Sequence, residues 1–246
     1  MAKTSGIGSS LFVGEYDLSG DTGDISSAET LREVIDVTSI ADSAQSRILG
    51  RKDGSLAFNG FWNVTAGQQH PVISALPTTD RIVSYFQGAT VGNAAASLVG
   101  KVITYTPTFN ADGSITTGTN ALANGYGLEW GEMLTSGLQS FATGTVNGTS
   151  IDLGSTETLF GAAAYLHVIT MPSGTAAFTI QDSANDTDFT TVTGMAFTGI
   201  TGPTSARLQG AVDATVRRYV RVTGSGTHGT SLIAVNFVRY LTSSAA

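Results

Sequence analysis

Apolar and polar residues alternate with a period of two along much of this chain, between clusters of Gly, Asn, Asp and Ser. That pattern admits strands and little else. Leu56, Phe58, Trp62 and Val64 share one face of 55–64. Over 101–109, Lys101, Ile103, Tyr105 and Phe109 share one face, and Val102, Thr104, Thr106 and Thr108 the other. The alternation recurs over 81–87, at Phe178 and Ile180, at Val220 and Val222, and at Ile233, Val235 and Phe237. Asp112-Gly113 and Asn124-Gly125 read as hairpin turns. The best helical segment is short, 68–76, with Pro71 near its start and Pro77 ending it. Val34, Ile35, Val37 and Thr38 are β-branched and favour a strand over 30–38. The predicted fold class is all-β with minor helix.

Composition narrows the function. The 246 residues include no cysteine, which excludes a disulfide scaffold, a thiol nucleophile and a thiolate metal site. Twelve basic residues against 19 acidic give a net charge of −7, the reverse of a nucleic-acid-binding footprint. No apolar run approaches the roughly 18 residues of a membrane span, and residues 1–8 lack the apolar core of a signal peptide. The expectation is a chain folded in a cytoplasm. Only 13% of residues are charged, about half the usual share. A neutral surface of Ser, Thr, Gly and Asn suits a chain packed against copies of itself. The small, polar stretch 143–150 reads as a linker, dividing the chain into 1–145 and 146–246. The first part holds 7 basic and 13 acidic residues and the second 5 and 6, so the acidity belongs to the first. The second part has the size and strand spacing of a small β-sandwich.

The residues offer no catalytic constellation. His70, His167 and His228 are far apart and lie in no ligand-spaced motif, so structural roles are expected of them. No nucleophile elbow, phosphate loop or dinucleotide fingerprint is present. The expectation is a non-enzyme with no metal and no cofactor. Two features admit a ligand. The loop 182–188, with Asp182, Asn185, Asp186 and Asp188, is either a calcium loop or a turn closed by its own Asx side chains. In a strand, Arg217, Tyr219 and Arg221 share a face, which suits a sugar or phosphate on the exterior. The alternative is that these arginines pair with Asp182, Asp186 or Asp188. Trp62 and Trp130 are expected in the core.

The stretch 34–63 carries Asp36-Val37-Thr38, Asp42-Ser43-Ala44, Arg47, Gly50, Lys52-Asp53-Gly54 and Phe58-x-Gly60-Phe61-Trp62. It is followed by the strand 81–86 and by Gly125-Tyr126-Gly127-Leu128-Glu129-Trp130-Gly131. Over roughly residues 5–140 this resembles the major tail tube proteins of long-tailed bacteriophages. Tyr165-Leu166-His167-Val168, Ile180-Gln181-Asp182-Ser183, Arg218-Tyr219-Val220-Arg221-Val222 and Val235-Asn236-Phe237-Val238-Arg239 resemble β-sandwich modules of phage structural proteins. Some tail tube proteins carry such a module on the tube exterior.

The resemblance implies a tail-tube-type β-sandwich with one flanking short helix, followed by a second small β-sandwich. It implies homohexameric rings that stack into a tube, with the tape measure, tail tip and tail terminator proteins as partners. DNA would pass through an acidic channel without binding, and no membrane is involved. The protein would reside in the virion after assembly in the host cytoplasm. The polar segment 39–53 resembles the family's long inter-subunit or inter-ring loop, with Arg47, Arg51, Lys52 and Asp53 as contact residues. Glu33, Asp36 and Asp80 are the candidate lumen acids. The alternatives are a carbohydrate-binding module or a capsid decoration protein.

Overall fold

The computed structural model describes residues 6–154 and 157–242. Residues 1–5 of the N-terminal stretch weighed above lie outside the described residues. In chain order the strands are β1 (Ser10–Val13), β2 (Tyr16–Asp17), β3 (Thr22–Asp36), β4 (Arg47–Phe61), β5 (Arg81–Phe86), β6 (Ala94–Phe109), β7 (Ile115–Met133) and β8 (Gln139–Phe141). They continue with β9 (Val146–Asn147), β10 (Ile151–Asp152), β11 (Ala162–Thr170), β12 (Ala176–Ser183), β13 (Thr190–Ile200), β14 (Thr204–Gln209), β15 (Tyr219–Gly226) and β16 (Ser231–Arg239). Helix α1 (Gln69–Ile73) falls inside the expected 68–76. The all-β class is as the alternation predicts.

Two compact units divide the chain, and they interleave. One holds the residues up to Gly20, Ser84–Ser97 and those from Trp130 onward; the other holds Asp21–Val83 and Leu98–Glu129. This differs from the consecutive division into 1–145 and 146–246. The stretch 143–150, read as a linker, lies in the first unit. There Val146 and Asn147 pair with Gly224 and Thr223 of β15, and Gly148 N–H donates to Val222 O at 2.8 Å. Small polar residues serve an edge strand as readily as a linker, and composition does not separate the two.

The first unit is a β-sandwich. One layer runs β10-β15-β12-β13, with β9 beside β15. The facing layer is built on β14-β11-β16, with β8 beside β16. Alternate residues of each layer meet in one core: Leu166, Val168, Ile233, Val235 and Phe237 against Phe178, Ile180, Met195, Val220 and Val222. Phe141 and Phe178 pack edge to face there, 6.0 Å apart. β16 is buried on both faces. Its Ala234 joins a second apolar cluster with Phe12, Phe86, Ala95 and Met133. Four strands separate β11 from β1 in the order β11-β16-β7-β6-β5-β1, yet the Phe12 ring lies 5.5 Å from that of His167. The layer therefore curls until β1 faces β11.

A polar chain runs through this second core. His167, Ser84, Ser97 and Asn236 are fully buried. Asn236 Nδ2 donates to Ser97 Oγ at 2.8 Å, and the Ser97 and Ser84 hydroxyls are 2.7 Å apart. His167 Nε2 lies 2.7 Å from Ser84 Oγ, and Nδ1 lies 2.7 Å from Gly14 O. A carbonyl only accepts, so Nδ1 carries the proton, and neutral Nε2 accepts from Ser84. Ser84 then accepts from Ser97, and Ser97 from Asn236. Burial holds the His167 pKa down at about 4, outweighing the Gly14 hydrogen bond and the Glu15 charge.

The unfolded chain binds this proton near 6.5, so folding excludes it between those values. Stability from this group is complete above about pH 6.5, and about 3 kcal/mol is lost as pH falls towards 4. Urea titrations at pH 7, 5.5 and 4.5 would read this loss, and the His167→Gln variant should lack it.

The second unit contains two hairpins, β3–β4 and the Leu98–Glu129 portion of β6–β7. β4 joins β7 from Ser55↔Leu122 to Phe61↔Thr116. Leu56, Phe58, Val102, Ala121 and Leu128 are buried, as are Val72 and Ile73 of α1. The side chain of Asp21 anchors α1, accepting from Gln69 N–H at 3.0 Å and from Asn63 Nδ2 at 2.8 Å. Asp112-Gly113 forms the expected turn between β6 and β7, with Asn110 N–H donating to Ser114 O.

Three expectations change. Asn124-Gly125 lies inside β7 rather than at a turn, with Gly125 at a φ of +97 that glycine tolerates. Trp62 is half-buried, its ring stacked 4.0 Å from that of His70, because the buried face of β4 ends at Gly60. Trp130 is 47% exposed.

Candidate functional site

The distal part of the β3–β4 hairpin is built unlike the rest of the molecule. Every residue from 29 to 49 is exposed. Ladder pairing with β7 stops at Ser55, and β3 and β4 continue together to Asp36↔Arg47. The turn 37–46 is closed by its own polar residues. Thr38 N–H and Oγ1 both donate to Asp36 Oδ1, at 2.9 and 2.5 Å, and Ser46 N–H donates to Thr38 Oγ1 at 2.9 Å. Ser39 N–H donates to Asp42 Oδ2 at 2.8 Å. The Thr38 hydroxyl holds the Asp36 carboxyl below the usual carboxylate range. The Asp36-Val37-Thr38 and Asp42-Ser43-Ala44 motifs thus supply the hydrogen bonds that fix this turn.

The hairpin presents apolar side chains on both faces. Val34 pairs with Leu49 on one face, and Ile35 with Ile48 on the other. Their exposures are 56%, 65%, 39% and 53%; Leu31, Val37 and Ile40 are exposed beside them. A strand pair resting on a core hides one face and solvates the other. This pair hides neither, and an isolated two-stranded hairpin is at best marginally stable in water. Among the described residues no strand pairs with the outer edge of β3. A strand edge outside the sheet is a template for another chain.

The predicted contact and lumen residues converge here. Arg47, Arg51, Lys52 and Asp53 lie on strand β4 and not in a loop; the loop is only 37–46. The strand was hidden because 47–53 is mostly polar. Asp36 pairs directly with Arg47, so one candidate lumen acid faces a candidate contact arginine, and Glu33 lies against Gly50 at the irregularity between Arg32 and Val34. Arg47 also donates to Gln45 Oε1. Asp80 stands apart, in an ion pair with Lys101 at 2.6 Å and accepting from Asn124 Nδ2 at 2.9 Å. Lys101 and Asn124 hold its carboxyl below the usual range. The apolar pairs at 34/49 and 35/48 were missed. Their signal is two adjacent apolar residues on each side of a polar turn, which alternation cannot assign to one face.

The second candidate surface is committed internally. Asp182 accepts from Arg217 N–H at 2.8 Å and lies 3.5 Å from its guanidinium. Arg221 donates to Gln181 Oε1 and covers the Phe189 ring at 3.9 Å. Arg218 forms a two-point ion pair with Asp152, drawing that carboxyl down to about 2, and lies over the Tyr219 ring. An open depression of about 400 Å³ is lined by Glu157, Ala184, Arg217 and Arg218. In the loop 182–188, Asn185 Oδ1 accepts from Thr187 and Asp188 N–H, so its Asx side chain closes a turn. Among the described residues no group of three His, Asp or Glu side chains is placed to hold a metal, and no helix is long and apolar enough to cross a membrane. His70 Nδ1 meets Tyr105 OH at 3.0 Å, and His228 Nδ1 meets Ser231 Oγ at 3.0 Å.

The chain matches no family model and no curated protein. Among solved structures it is similar to the Dit protein of phage SPP1, described as a paradigm of the hub adsorption apparatus in phages infecting Gram-positive hosts. That match has 9% identity, covers 94% of this chain and 99% of that one, and has a TM-score of 0.35. It is also similar to a chain of the phage P2 baseplate in its activated conformation, with calcium (8% identity, 94% and 98% coverage, TM-score 0.30) and with strontium (7%, 94% and 98%, 0.30).

Proposed function

We propose that this chain is a non-enzymatic structural subunit of a bacteriophage tail, whose copies join through the β3–β4 hairpin into hexameric rings that stack as the tail tube. The observation that carries this reading is the hairpin itself, with exposed apolar pairs on both faces and a long outer edge. A second copy supplies both what the edge lacks and what the apolar faces need. The resemblance of 34–63 to tail tube proteins falls on this hairpin, and its turn motifs are the residues that rigidify it. Six copies would carry −42, and an acidic channel lets DNA slide by repelling phosphate. On this reading the tape measure, tail tip and tail terminator proteins are the further partners, and the virion is the destination. The commitment of Arg217, Arg218 and Arg221 to neighbouring side chains favours assembly over sugar binding.

Electron microscopy of the concentrated protein tests the proposal. Rings of six, alone or stacked, support assembly, and stacking distinguishes a tube from an isolated ring. A monomer at every concentration and salt overturns it. Arg47→Glu places a second acid opposite Asp36, and Arg51→Glu reverses a charge on the same hairpin. Each is expected to raise the concentration needed for assembly about tenfold while leaving the circular dichroism of the monomer unchanged. Normal assembly by both would remove these arginines from the interface.

A further inference from the structure

The buried polar chain of the first unit has a direction, and the direction depends on one proton. We propose that His167 is an acid-sensitive latch that holds the β1–β2 hairpin to the core of its unit and releases it when the imidazole is protonated. The hairpin spans 10–17, pairing Phe12 with Asp17 and Val13 with Tyr16 around the two-residue turn Gly14-Glu15. Its attachment to β11 is polar and specific: Gly14 O accepts the Nδ1 proton, and Phe12 lies against the same ring.

In the neutral state every donor in the sequence Asn236, Ser97, Ser84, His167 has an acceptor ahead of it, ending on Gly14 O. A second proton on Nε2 reverses the demand at Ser84, whose hydroxyl must then turn towards Ser97. The Ser97 hydroxyl in turn loses its acceptor. Asn236 Oδ1 is buried and unpartnered, and would accept from Ser97 only after the amide turns over. Gly131 packs against that amide, an ideal Cβ there falling 2.7 Å from Oδ1. The packed core therefore resists the rearrangement, and the imidazolium is relieved instead by a transient opening of the hairpin, against the β1–β5 pairing and the burial of Leu11, Phe12, Val13 and Leu18.

The charges around the ring do not compensate the proton. Glu15 faces it from the turn, and its attraction is outweighed by burial. Ser205 of β14 and Ala234 of β16, the register partners on either side, are uncharged, as is Ser84 of β5. The closed form takes the proton at about pH 4, whereas an exposed histidine takes it near 6.5. Lower pH thus favours the open form. Opening rises by up to tenfold per pH unit between these values, about 40-fold from pH 6.5 to 4.5.

Hydrogen exchange read by mass spectrometry, corrected for the intrinsic rate at each pH, tests the latch on the full chain. Between pH 7 and 4.5, amides of 10–18 are expected to lose roughly 60-fold in protection, through an opening of lower free energy than the global unfolding by which β12 and β15 exchange. His167→Gln, which cannot gain the charge, should remove the pH dependence. Glu15→Gln, which takes away a charge that favours the closed imidazolium, should leave the onset near pH 6.5 and extend the loss to lower pH. Unchanged protection of 10–18, or protection there as high as in β12 and β15 at pH 4.5, overturns the proposal. Should His167→Gln not fold, the wild-type imidazole followed by NMR decides: Nδ1-protonated and neutral to below pH 5 supports the latch, and ordinary titration near 6.5 with the hairpin still protected overturns it.

Discussion

Val34→Glu combined with Leu49→Glu is expected to abolish ring assembly while costing the monomer at most about 1 kcal/mol. The two side chains lie directly opposite each other on one face of the hairpin, 56% and 65% exposed. In the monomer they touch each other as a cross-strand pair at the exposed end of the hairpin, worth at most about 1 kcal/mol and away from the buried core. In an assembly each would transfer about half its apolar surface from water, about 2–4 kcal/mol for the pair at every interface. That corresponds to a roughly 30- to 700-fold weaker contact, before the cost of burying two carboxylates. Sedimentation velocity and urea unfolding separate the two effects. Loss of assembly with a urea midpoint lowered by no more than that amount is the expected result. A larger fall in the midpoint together with assembly would assign these residues to the fold instead.

Gly100→Ala is expected to be the most damaging single-methyl change in the second unit. Gly100 lies on β6, where an ideal Cβ would fall 1.9 Å from Leu122 O of β7 and 2.9 Å from Leu98 Cδ1. The first obstacle is backbone within a paired strand and cannot swing aside, so the strands must part. The expected loss is on the order of 3 kcal/mol or more. Gly118→Ala is the control: its Cβ would meet only Asn59 Oδ1, at 3.6 Å, an ordinary contact. Urea midpoints read at a constant slope should drop for the first and hold within about 0.5 kcal/mol for the second.

The strands were legible because their faces meet different surroundings. Ile233, Val235 and Phe237 alternate with residues that face the second cluster, and the short helix at 69–73 follows from Pro71 and Pro77. What alternation could not deliver has a physical cause in each case. Residues 47–53 form a strand with no buried face, so nothing in their polarity reports it. Trp130 falls within a motif but is exposed, since aromatic size signals burial only when a neighbour covers it. The interleaved units were invisible because β6 and β7 run from one to the other without a break in pattern. Ser84 and Ser97 look like solvated positions and are buried, because their partners His167 and Asn236 are distant in sequence.

The candidate site was half legible. Arg47, Arg51, Lys52 and Asp53 were placed by resemblance, and Glu33 and Asp36 by lying in an acidic strand; the structure puts all six on one hairpin. The apolar pairs that give that hairpin its interfacial character emerged only from the register. The surface around Arg217, Tyr219 and Arg221 has the residue types of a ligand site, but Asp182, Asp152 and Gln181 already occupy its arginines.

The measurement that bears most directly on the assembly surface uses the absence of cysteine from the chain. A Leu49→Cys variant carries one thiol, at the centre of the exposed apolar pair. Its reaction with a maleimide is expected to be fast in dilute protein and strongly suppressed once rings or tubes have formed. A thiol at position 49 that reacts as fast in assembled particles as in the monomer would contradict the account.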